Sequence, residues 1–398
     1  MKYVVILGDG MSDYPIPKLE YKTPLEVANK PFIDGLAKVS EIGLVKTVPD
    51  GLKPGSDVAN LSVLGYAPEK NYTGRSPLEA ASIGIDLEDT DVTYRANLVT
   101  LSGGGDYADL TMKDYSGGEI ETKDAKILIH YLKQYLDGNG LTLYSGVSYR
   151  HCLVKQNASP VGGFTPPHDI SGKPIKEFLP KDNLSLEIMK KSYELLKEHP
   201  LNLERVKNGK NPANSIWLWG EGTKPSLENY QEKYGVKGGM ISAVDLLKGI
   251  AKLSGMKVIE VDGATGNYKT NFMGKAKACV DALNDGLDFV YVHMEAADEC
   301  GHQGDLDNKI YSIEQIDKVV EYVVTSLEKT GERFKILVCP DHPTPISTKT
   351  HASDPVPYLL YDSGKTVKGQ SRYTESVATN QNLFYSNGES LIKRFFEK

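Results

Sequence analysis

The chain opens on a strand signal that runs directly into an acidic turn, YVVILGDG at residues 3–10. Two later stretches share this form: LDFVYVH at 287–293 is followed by MEAADECGH at 294–302, and KILVC at 335–339 is followed by PDHP at 340–343. Short apolar runs rich in β-branched residues are typical of strands buried on both faces of a largely parallel sheet. Because ligands gather at the carboxyl ends of such strands, the three endings are predicted to converge on one site.

Helical stretches alternate with the strands and indicate an α/β protein. ISAVDLLKGIAKLSG at 241–255 has apolar positions at helical spacing and ends at a glycine. MKVIEV at 256–261 follows as a predicted strand, and FMGKAKACVDALNDG at 272–286 is the next predicted helix. This alternation predicts βαβ units in one sheet.

The middle of the chain has a different texture, rich in glycine and turn residues. Examples are SGGGDYAD at 102–109 and PVGGFTPPHDISGKP at 160–174. A chain of 398 residues is long enough for two domains. We therefore predict an inserted domain at 86–222 within a first domain formed by 1–85 and 223–398.

Composition argues against several classes of protein. A net charge of -7 with interspersed signs leaves no basic stripe for a nucleic-acid backbone. The apolar run before Gly8 is too short for a signal peptide or a membrane span, and no later run is long enough, so no membrane partner is expected. The cysteines form no CxxC pair, which argues against a zinc ribbon or a disulfide framework and predicts a reducing, cytoplasmic location. They are Cys152, Cys279, Cys300 and Cys339.

Acidic and histidine residues follow the second and third strands at spacings that suit metal binding. Asp298 and His302 form a D-x-x-x-H pair, which puts both side chains on one face if the segment is helical. Asp341 and His342 directly follow the third strand, and His351 lies a few residues further on. Each alone is more often a solvated loop residue, but the five together at two strand ends indicate a metal site.

Oxygen and imidazole ligands without thiolate suit manganese, zinc or magnesium, and the sequence does not choose among them. The ligands outnumber those of one tetrahedral zinc, so two ions are predicted, a recurrent arrangement in phosphoryl transfer. Cys300 lies in the same segment; it could ligate as well, although cysteine is more often a small buried hydrophobe.

The candidate nucleophile is Ser56, in KPGSDVANLSVLGY at 53–66, where Pro54 and Gly55 supply a turn before an apolar, helical stretch. A serine at a helix N-terminus lies beside free backbone N–H groups and the positive end of the helix dipole, which suit a phosphate. The alternative is that Ser56 is only a helix cap. The local pattern leaves both open.

Several motifs in chain order resemble the archaeal-type branch of the cofactor-independent phosphoglycerate mutases, within the alkaline phosphatase superfamily. The resemblance covers nearly the whole chain and implies an alkaline-phosphatase-like, mostly parallel sheet sandwiched by helices, with an inserted smaller domain. The motifs are DGMSD (9–13), PGSDVANLSVLGY (54–66), TGRSPLEAASIGI (73–85), ADECGH (297–302), PDH (340–342) and THASDPVPYLLY (350–361).

The resemblance implies a role for each site residue. Ser56 would be transiently phosphorylated while 2- and 3-phosphoglycerate are interconverted, with no 2,3-bisphosphoglycerate as cofactor. One divalent ion would be held by Asp9, Ser56, Asp341 and His342, and the other by Asp298, His302 and His351. The small phosphorylated substrate is the only partner implied, and the oligomeric state is left open.

The carboxylate end of such a substrate is best held by arginine and other donors, expected from the inserted domain. Arg95 could equally form a strand-edge ion pair, and Lys275, near the phosphate, could be a solvated helix lysine. Arg150 and His151 look like two cationic donors side by side on a strand end. The candidates are Arg95, Arg150, His151, His168, Asp169 and Lys275.

One position departs from the resemblance. SIWLWGEG at 215–222 carries Trp219 where archaeal members typically have an arginine, and it is similar to a bacterial subgroup proposed to act as homoserine kinases. GATGNYKT at 263–270 has the wrong spacing for a P-loop, so such a kinase would also pass phosphate through Ser56. A degenerate metal site in a binding protein, and a plain phosphomonoesterase or sulfatase, are further alternatives.

Overall fold

The computed structural model describes residues 1–397 and contains two compact units. The first unit joins residues 1–72 to the chain from Ser226 onward, and the second unit is Thr73–Pro225. The second unit therefore begins before the expected position 86 and ends after 222. The earlier start follows from a short helix, Ser76–Ser82, whose residues pack on strands of the second unit.

The strands of the described residues are, in chain order, β1 (Lys2–Gly8), β2 (Glu41–Val45), β3 (Val92–Ser102), β4 (Thr111–Asp114), β5 (Leu141–Tyr144), β6 (Arg150–Lys155), β7 (Ser215–Thr223), β8 (Gly238–Ile241), β9 (Lys257–Val258), β10 (Phe289–Met294), β11 (Phe334–Cys339), β12 (Val356–Asp362) and β13 (Phe384–Tyr385).

The α-helices are α1 (Pro24–Val27), α2 (Pro31–Ala37), α3 (Ser56–Val63), α4 (Pro68–Asn71), α5 (Ser76–Ser82), α6 (Thr122–Leu136), α7 (Asn183–Leu196), α8 (Pro200–Lys207), α9 (Tyr230–Tyr234), α10 (Asp245–Leu253), α11 (Phe272–Asn284), α12 (Ala296–Gln303), α13 (Leu306–Glu328), α14 (Glu375–Thr379) and α15 (Gly388–Phe396). Four short 3-10 segments are Pro17–Leu19, Tyr107–Asp109, Pro167–Ile170 and Lys176–Phe178. Within residues 1–397, no helix combines the length and the apolar character needed to span a membrane.

The first unit is built on an eight-stranded, mostly parallel sheet in the order β13-β2-β12-β11-β1-β10-β8-β9. β1 lies at its centre and pairs in parallel with β10 on one side and β11 on the other. Only β12 runs antiparallel to its neighbours. The predicted α/β class with a mostly parallel sheet is confirmed.

The central strand explains why the sheet is covered on both faces. Val4, Val5, Ile6 and Leu7 are all fully buried, and side chains alternate between the faces of a strand. Val4 and Ile6 share one apolar cluster with residues of α11 and α13, among them Ile316. Burying each such side chain stabilises the fold by roughly 1.5–3 kcal/mol.

The helices and strands around 241–286 agree only in part with the sequence prediction. The helix expected at 241–255 begins later, at Asp245, because 238–241 extends the sheet as β8 and pairs with β10. Gly255, with φ of +73°, follows the end of this helix. The strand expected at 256–261 is reduced to β9, two residues long, whereas the helix expected at 272–286 is found as α11.

The second unit is an antiparallel sheet with helices packed on it, an α+β arrangement. The long strand β3 pairs with β6, β7 and β4, and β5 pairs with β6. Registers place Arg95 opposite Trp219 of β7 and opposite Cys152 of β6, and Asn97 opposite Arg150. Three cationic or aromatic candidates from distant sequence positions are thereby brought to one region of this sheet.

Candidate active site

The three predicted strand endings meet at one edge of the first unit's sheet. Leu7 of β1 lies in register with His293 of β10 and with Cys339 of β11, so the loops that follow the three strands are neighbours. Asp9 directly follows β1, and Asp341 follows β11 after one proline. The expected convergence is observed because the strands are adjacent and parallel.

A first ligand cluster consists of Asp9, Asp341 and His342, whose ligand atoms all lie within 4.8 Å of one another. His342 Nε2 is 3.7 Å from Asp9 Oδ1 and 3.3 Å from Asp341 Oδ2. All three side chains are buried. Two carboxylates and one imidazole, converging in the interior, form an arrangement suited to a divalent cation.

A second ligand cluster consists of Asp298, His342 and His351. The D-x-x-x-H segment is helical, as the spacing suggested, and α12 presents Asp298 and His302 on one face with 3.3 Å between Oδ2 and Nε2. His351 Nε2 lies 3.5 Å from Asp298 Oδ1 and 2.9 Å from His302 Nε2. His342 is common to both clusters, so the two lie side by side.

Electrostatics indicate that the first cluster suits a cation. Asp9 Oδ1 is buried and has no hydrogen-bond partner. Burial, together with the nearby carboxylates of Asp341 and Asp298, holds the pKa of Asp9 well above its usual range. Buried like charges are costly unless they are paired or bind a metal. The residues therefore fit two divalent ions, with oxygen and imidazole donors of the kind that manganese, zinc and magnesium accept.

Ser56 is the first residue of α3, and the capping position before it is Gly55, which has no side chain. Capping therefore does not account for the serine. Its half-buried hydroxyl instead lies 3.3 Å from His342 Nε2, at the residue that both ligand clusters share. The nucleophile candidate and the ligand candidates thus form one site.

Each ligand carboxylate is also oriented by a side chain that the sequence analysis did not single out. His293 Nε2 lies 2.8 Å from Asp9 Oδ2, and Thr344 Oγ1 donates to Asp298 Oδ1. Asn60 donates to Asp341 Oδ2 at 2.8 Å. His293 ends the quoted run LDFVYVH, but only the register with β1 reveals that it faces Asp9.

Lys275 is not a solvated lysine, and Cys300 is not part of the ligand clusters. Lys275 is fully buried and donates to the carbonyl of His293 at 2.9 Å, so the solvated-lysine alternative is wrong. Burial lowers its pKa to about 8. Cys300 is buried and belongs to neither ligand cluster; burial raises the pKa of its thiol to about 11, as expected for a small hydrophobe.

Binding of a metal ion at His302 is expected to release a proton. Its hydrogen bond to Asp298 raises the pKa of His302 to about 9, whereas a metal ligand presents a neutral nitrogen. In the metal-free protein this imidazolium contributes stability below the unfolded-state pKa of about 6.5, and that contribution is lost as pH rises through about 9. Metal affinity should accordingly increase with pH across this window, by about tenfold per unit for one proton.

Calorimetric manganese titrations at pH 7, 8 and 9 would measure this dependence. His302→Gln is the matched control, because it has no titrating ring and should flatten the profile. An affinity that does not change with pH in the unsubstituted protein would contradict the assignment of His302 as a ligand.

In the second unit, Arg95 and Arg75 both contact one carboxylate oxygen, Oε1 of Glu79. Arg95 Nη1 is 2.6 Å from Glu79, and Arg75 Nε is 2.8 Å from the same oxygen. The Arg95 guanidinium stacks 4.6 Å from the Trp219 ring centroid, and Arg75 lies 5.8 Å from it. Trp219 Nε1 donates to Asn97 at 3.0 Å. We call Arg75, Glu79, Arg95 and Trp219 the Trp219 cluster.

The expectation of two cationic donors side by side at 150–151 is wrong. Arg150, the first residue of β6, is exposed, whereas His151 and the three residues after it are buried. Burial, with Arg95 and Arg150 nearby, lowers the pKa of His151 to about 3, so the ring is neutral. Its Nδ1 accepts from the Gly146 N–H at 3.1 Å, and its buried Nε2 has no partner.

His168 and Asp169 lie in the 3-10 segment Pro167–Ile170 and are both exposed. The His168 ring packs edge-on against Trp219 at 5.4 Å, which adds it to the surroundings of the Trp219 cluster. Asp169 is 3.6 Å from His168. Arg75 was missed in the sequence, although it stands in the quoted motif TGRSPLEAASIGI.

The chain is similar to known proteins of one family. The family model described as 2,3-bisphosphoglycerate-independent phosphoglycerate mutase matches residues 37–202. A protein of that name from Methanosarcina barkeri is 50% identical over 371 residues, covering 92% of each chain. Another, from Methanothrix thermoacetophila, is 45% identical and covers 99% of each chain.

Two solved structures extend the similarity to the fold. The PH0037 protein from Pyrococcus horikoshii has a TM-score of 0.81 at 30% identity, over 99% of this chain and 96% of that one. The cofactor-independent phosphoglycerate mutase from Thermoplasma acidophilum has a TM-score of 0.66 at 27% identity, over 100% of both chains. The chain belongs to the family of 2,3-bisphosphoglycerate-independent phosphoglycerate mutases.

Proposed function

We propose that this chain interconverts 2-phosphoglycerate and 3-phosphoglycerate, without 2,3-bisphosphoglycerate, by passing the phosphoryl group through Ser56. The observation that carries the proposal is the Ser56 hydroxyl at the start of α3, 3.3 Å from the histidine common to both ligand clusters. Relatives at 45–50% identity bear the mutase name, and the homoserine kinase alternative finds no support among them.

The proposed reaction consists of two phosphoryl transfers, one to Ser56 and one back to glycerate. The Ser56 oxygen gives up its proton and attacks phosphorus while the bond from phosphorus to the glycerate oxygen breaks; that oxygen takes up a proton, which leaves phosphoserine and free glycerate. The other glycerate hydroxyl then attacks the same phosphorus, and the bond to Ser56 Oγ breaks. Backbone N–H groups of the first turn of α3, at the positive end of its dipole, suit the phosphate oxygens.

Divalent metal ions lower the pKa of a bound hydroxyl and neutralise charge on phosphate when they are bound. Within the chain, Asp9, Ser56, Asp341 and His342 would hold one ion, and Asp298, His302 and His351 the other. His293 and Thr344 keep the Asp9 and Asp298 carboxylates oriented, as outer partners of ligands commonly do. We infer manganese or zinc as the native ion, with magnesium as the weaker candidate.

The second unit would supply the cations for the substrate carboxylate. We assign this role first to Arg95 and Arg75 of the Trp219 cluster, since planar guanidinium groups match a carboxylate. Arg75 offers the positive charge that a tryptophan at 219 lacks. His151, neutral and accepting at Nδ1, would act as an Nε2–H donor rather than as a cation. Arg150, His168, Asp169 and Lys275 stay as further proposed contacts.

A coupled assay of 2- and 3-phosphoglycerate interconversion tests the proposed function. We expect turnover in both directions with manganese present and 2,3-bisphosphoglycerate absent, and loss of turnover after chelation. Homoserine with a phosphodonor serves as the parallel reaction on the same preparation. Phosphohomoserine formation without mutase turnover would overturn the proposal.

Arg75→Leu is expected to raise KM for phosphoglycerate by roughly 10–100-fold, with a smaller effect on kcat. A hydrogen bond between a charged donor and a carboxylate contributes about 1.5–3 kcal/mol, and about 1.4 kcal/mol corresponds to a factor of ten. Folding should be little affected, because Glu79 keeps Arg95 as its partner.

Lys133→Met is the matched control for Arg75→Leu. Lys133 and Asp137 form an i,i+4 pair of similar exposure in the same unit, and breaking it should leave KM unchanged. Equal KM values in Arg75→Leu and the unsubstituted protein would remove Arg75 from the substrate site.

A further inference from the structure

A buried side-chain amide, that of Asn60, links the helix of the nucleophile to a ligand carboxylate. Asn60 is fully buried on α3, one turn after Ser56. Its Nδ2 donates to the Ser56 carbonyl at 2.9 Å and to Asp341 Oδ2 at 2.8 Å. Its Oδ1 accepts from the Tyr291 hydroxyl at 2.6 Å.

These bonds leave the amide one orientation. An amide nitrogen has two N–H donors, and here both are used, one toward each element of the site. The hydroxyl of Tyr291, itself fully buried on β10, fixes the oxygen end. Rotating the amide would set its oxygen against two acceptors, the Ser56 carbonyl and Asp341 Oδ2, in an interior where unmet hydrogen bonds are costly.

The amide therefore sets the distance between two parts of the site that come from different elements. Ser56 is the first helical residue of α3, where intrahelical bonds are fewest and fraying is easiest. Asp341 follows β11, and its other oxygen accepts from the backbone N–H groups of Gly10 and His342 at 3.2 and 2.8 Å. Among the side-chain hydrogen bonds of the described residues, only those of Asn60 join the backbone at the start of α3 directly to this carboxylate, since the Ser56 hydroxyl reaches it only through His342 Nε2.

We propose that Asn60 is a positioning residue for phosphoryl transfer, holding Ser56 and Asp341 in register with Tyr291 as its anchor. The inference rests on the proposed function only for its kinetic readout. Asn60 does not bond the Ser56 hydroxyl; it acts through the backbone carbonyl of the nucleophile and through one ligand oxygen. Partners of metal ligands of this kind typically change metal affinity or activity by about 10–100-fold.

Asn60→Leu tests the proposal, because leucine has a similar volume and makes none of the three hydrogen bonds. We expect kcat to fall by roughly 10–100-fold, KM for phosphoglycerate to change by less than about threefold, and manganese affinity to fall by about tenfold. Single-turnover formation of phospho-Ser56 should slow by the same factor as kcat. A purely structural role would lower the melting temperature and leave kcat, manganese affinity and the rate of phospho-Ser56 formation unchanged.

Asn202→Leu is the matched control. Asn202 is a buried amide of the second unit that also makes three bonds, to the carbonyls of Leu196 and Ala213 and from the Ala213 N–H. Its loss should reduce thermal stability to a similar extent without changing kcat or manganese affinity. Identical kinetic and metal-binding changes in the two variants would overturn the proposal.

Tyr291→Phe keeps the experiment decisive if Asn60→Leu does not fold. It removes only the hydroxyl that anchors Asn60, and we expect kcat and manganese affinity to fall together by roughly 2–10-fold, the effect of one hydrogen bond. Unchanged values for both would refute the anchor. Manganese affinity is measured without substrate, so it tests the link even if the unsubstituted protein shows no mutase activity, an outcome that would defeat only the proposed function.

Discussion

Ser56→Ala protein is expected to lose interconversion of 2- and 3-phosphoglycerate by roughly 10⁴-fold or more, because no acceptor is left for the phosphoryl group. Ser56 is half-buried at the first position of α3. Alanine is the best helix former and makes no demand on the surroundings. Global stability should therefore stay nearly unchanged, and the loss can be read as chemistry.

The measurement is the coupled assay, together with mass spectrometry of the protein quenched during turnover. The unsubstituted chain should carry one phosphate on Ser56, and the variant none. Ser62→Ala is the control from the same helix: Ser62 is buried and its hydroxyl accepts from the Gly388 N–H at 3.2 Å. That variant should lose some stability and keep its turnover. Appreciable activity in Ser56→Ala would rule out the phosphoserine route.

Asp9→Asn should have opposite effects with and without metal. At neutral pH the metal-free protein holds the Asp9 carboxylate in a buried site beside Asp341 and Asp298, which raises its pKa. A carboxyl whose folded-state pKa is raised above the unfolded value destabilises the fold at higher pH, once it must ionise. Asparagine removes that cost and can still accept from His293, so the metal-free variant should melt at a higher temperature.

With manganese, the variant is expected to melt at a lower temperature than the unsubstituted protein. A cation that binds only the folded state stabilises it by about 4 kcal/mol when its free concentration is about a thousand times its dissociation constant. The variant should lose most of this gain. Asp9 Oδ1 is the buried oxygen without a partner, and asparagine puts either a neutral carbonyl oxygen or an NH2 group in its place. Mutase turnover should fall by roughly 10³-fold, since several kcal/mol of charge stabilisation depend on the ions.

Melting curves in chelator and in manganese check both halves of this prediction. Asp317→Asn is the control, because Asp317 is also buried, also has a pKa raised by burial, and accepts from the backbone N–H of Ile33 at 2.7 Å outside the ligand clusters. Its manganese-induced shift should equal that of the unsubstituted chain. A full manganese shift in Asp9→Asn would show that Asp9 is not a ligand.

The ligand candidates of the site could be predicted from the sequence because each lies close in the chain to the end of a strand of the parallel sheet. Asp9, Asp298 and Asp341 each stand within a few residues of a strand end that is legible as an apolar run. Once those strands are adjacent and parallel, their endings share an edge whatever the intervening chain does. The D-x-x-x-H pair could also be predicted locally, because side chains four residues apart lie on one face of a helix.

The substrate-side candidates were harder to predict because their chemistry depends on burial and on partners. Arg150 and His151 are neighbours in the sequence, yet only Arg150 is exposed, and the buried His151 ring is neutral. Lys275 resembles any helix lysine in the sequence but is buried against the carbonyl of His293. No single-residue pattern records which face of an element the rest of the fold will cover.

By itself, the sequence determined the α/β class, the convergence of three strand endings on one site and the ligand types, which follow from local periodicity and residue chemistry; the role of Ser56 as nucleophile came from the resemblance to a known family. Only the tertiary structure decided that Gly55 rather than Ser56 occupies the capping position, that His342 is common to both ligand clusters, and that Arg75 stands beside Trp219. It also revealed the amide of Asn60 between α3 and Asp341. These depend on register and close packing between residues far apart in the chain, which are properties of the folded whole.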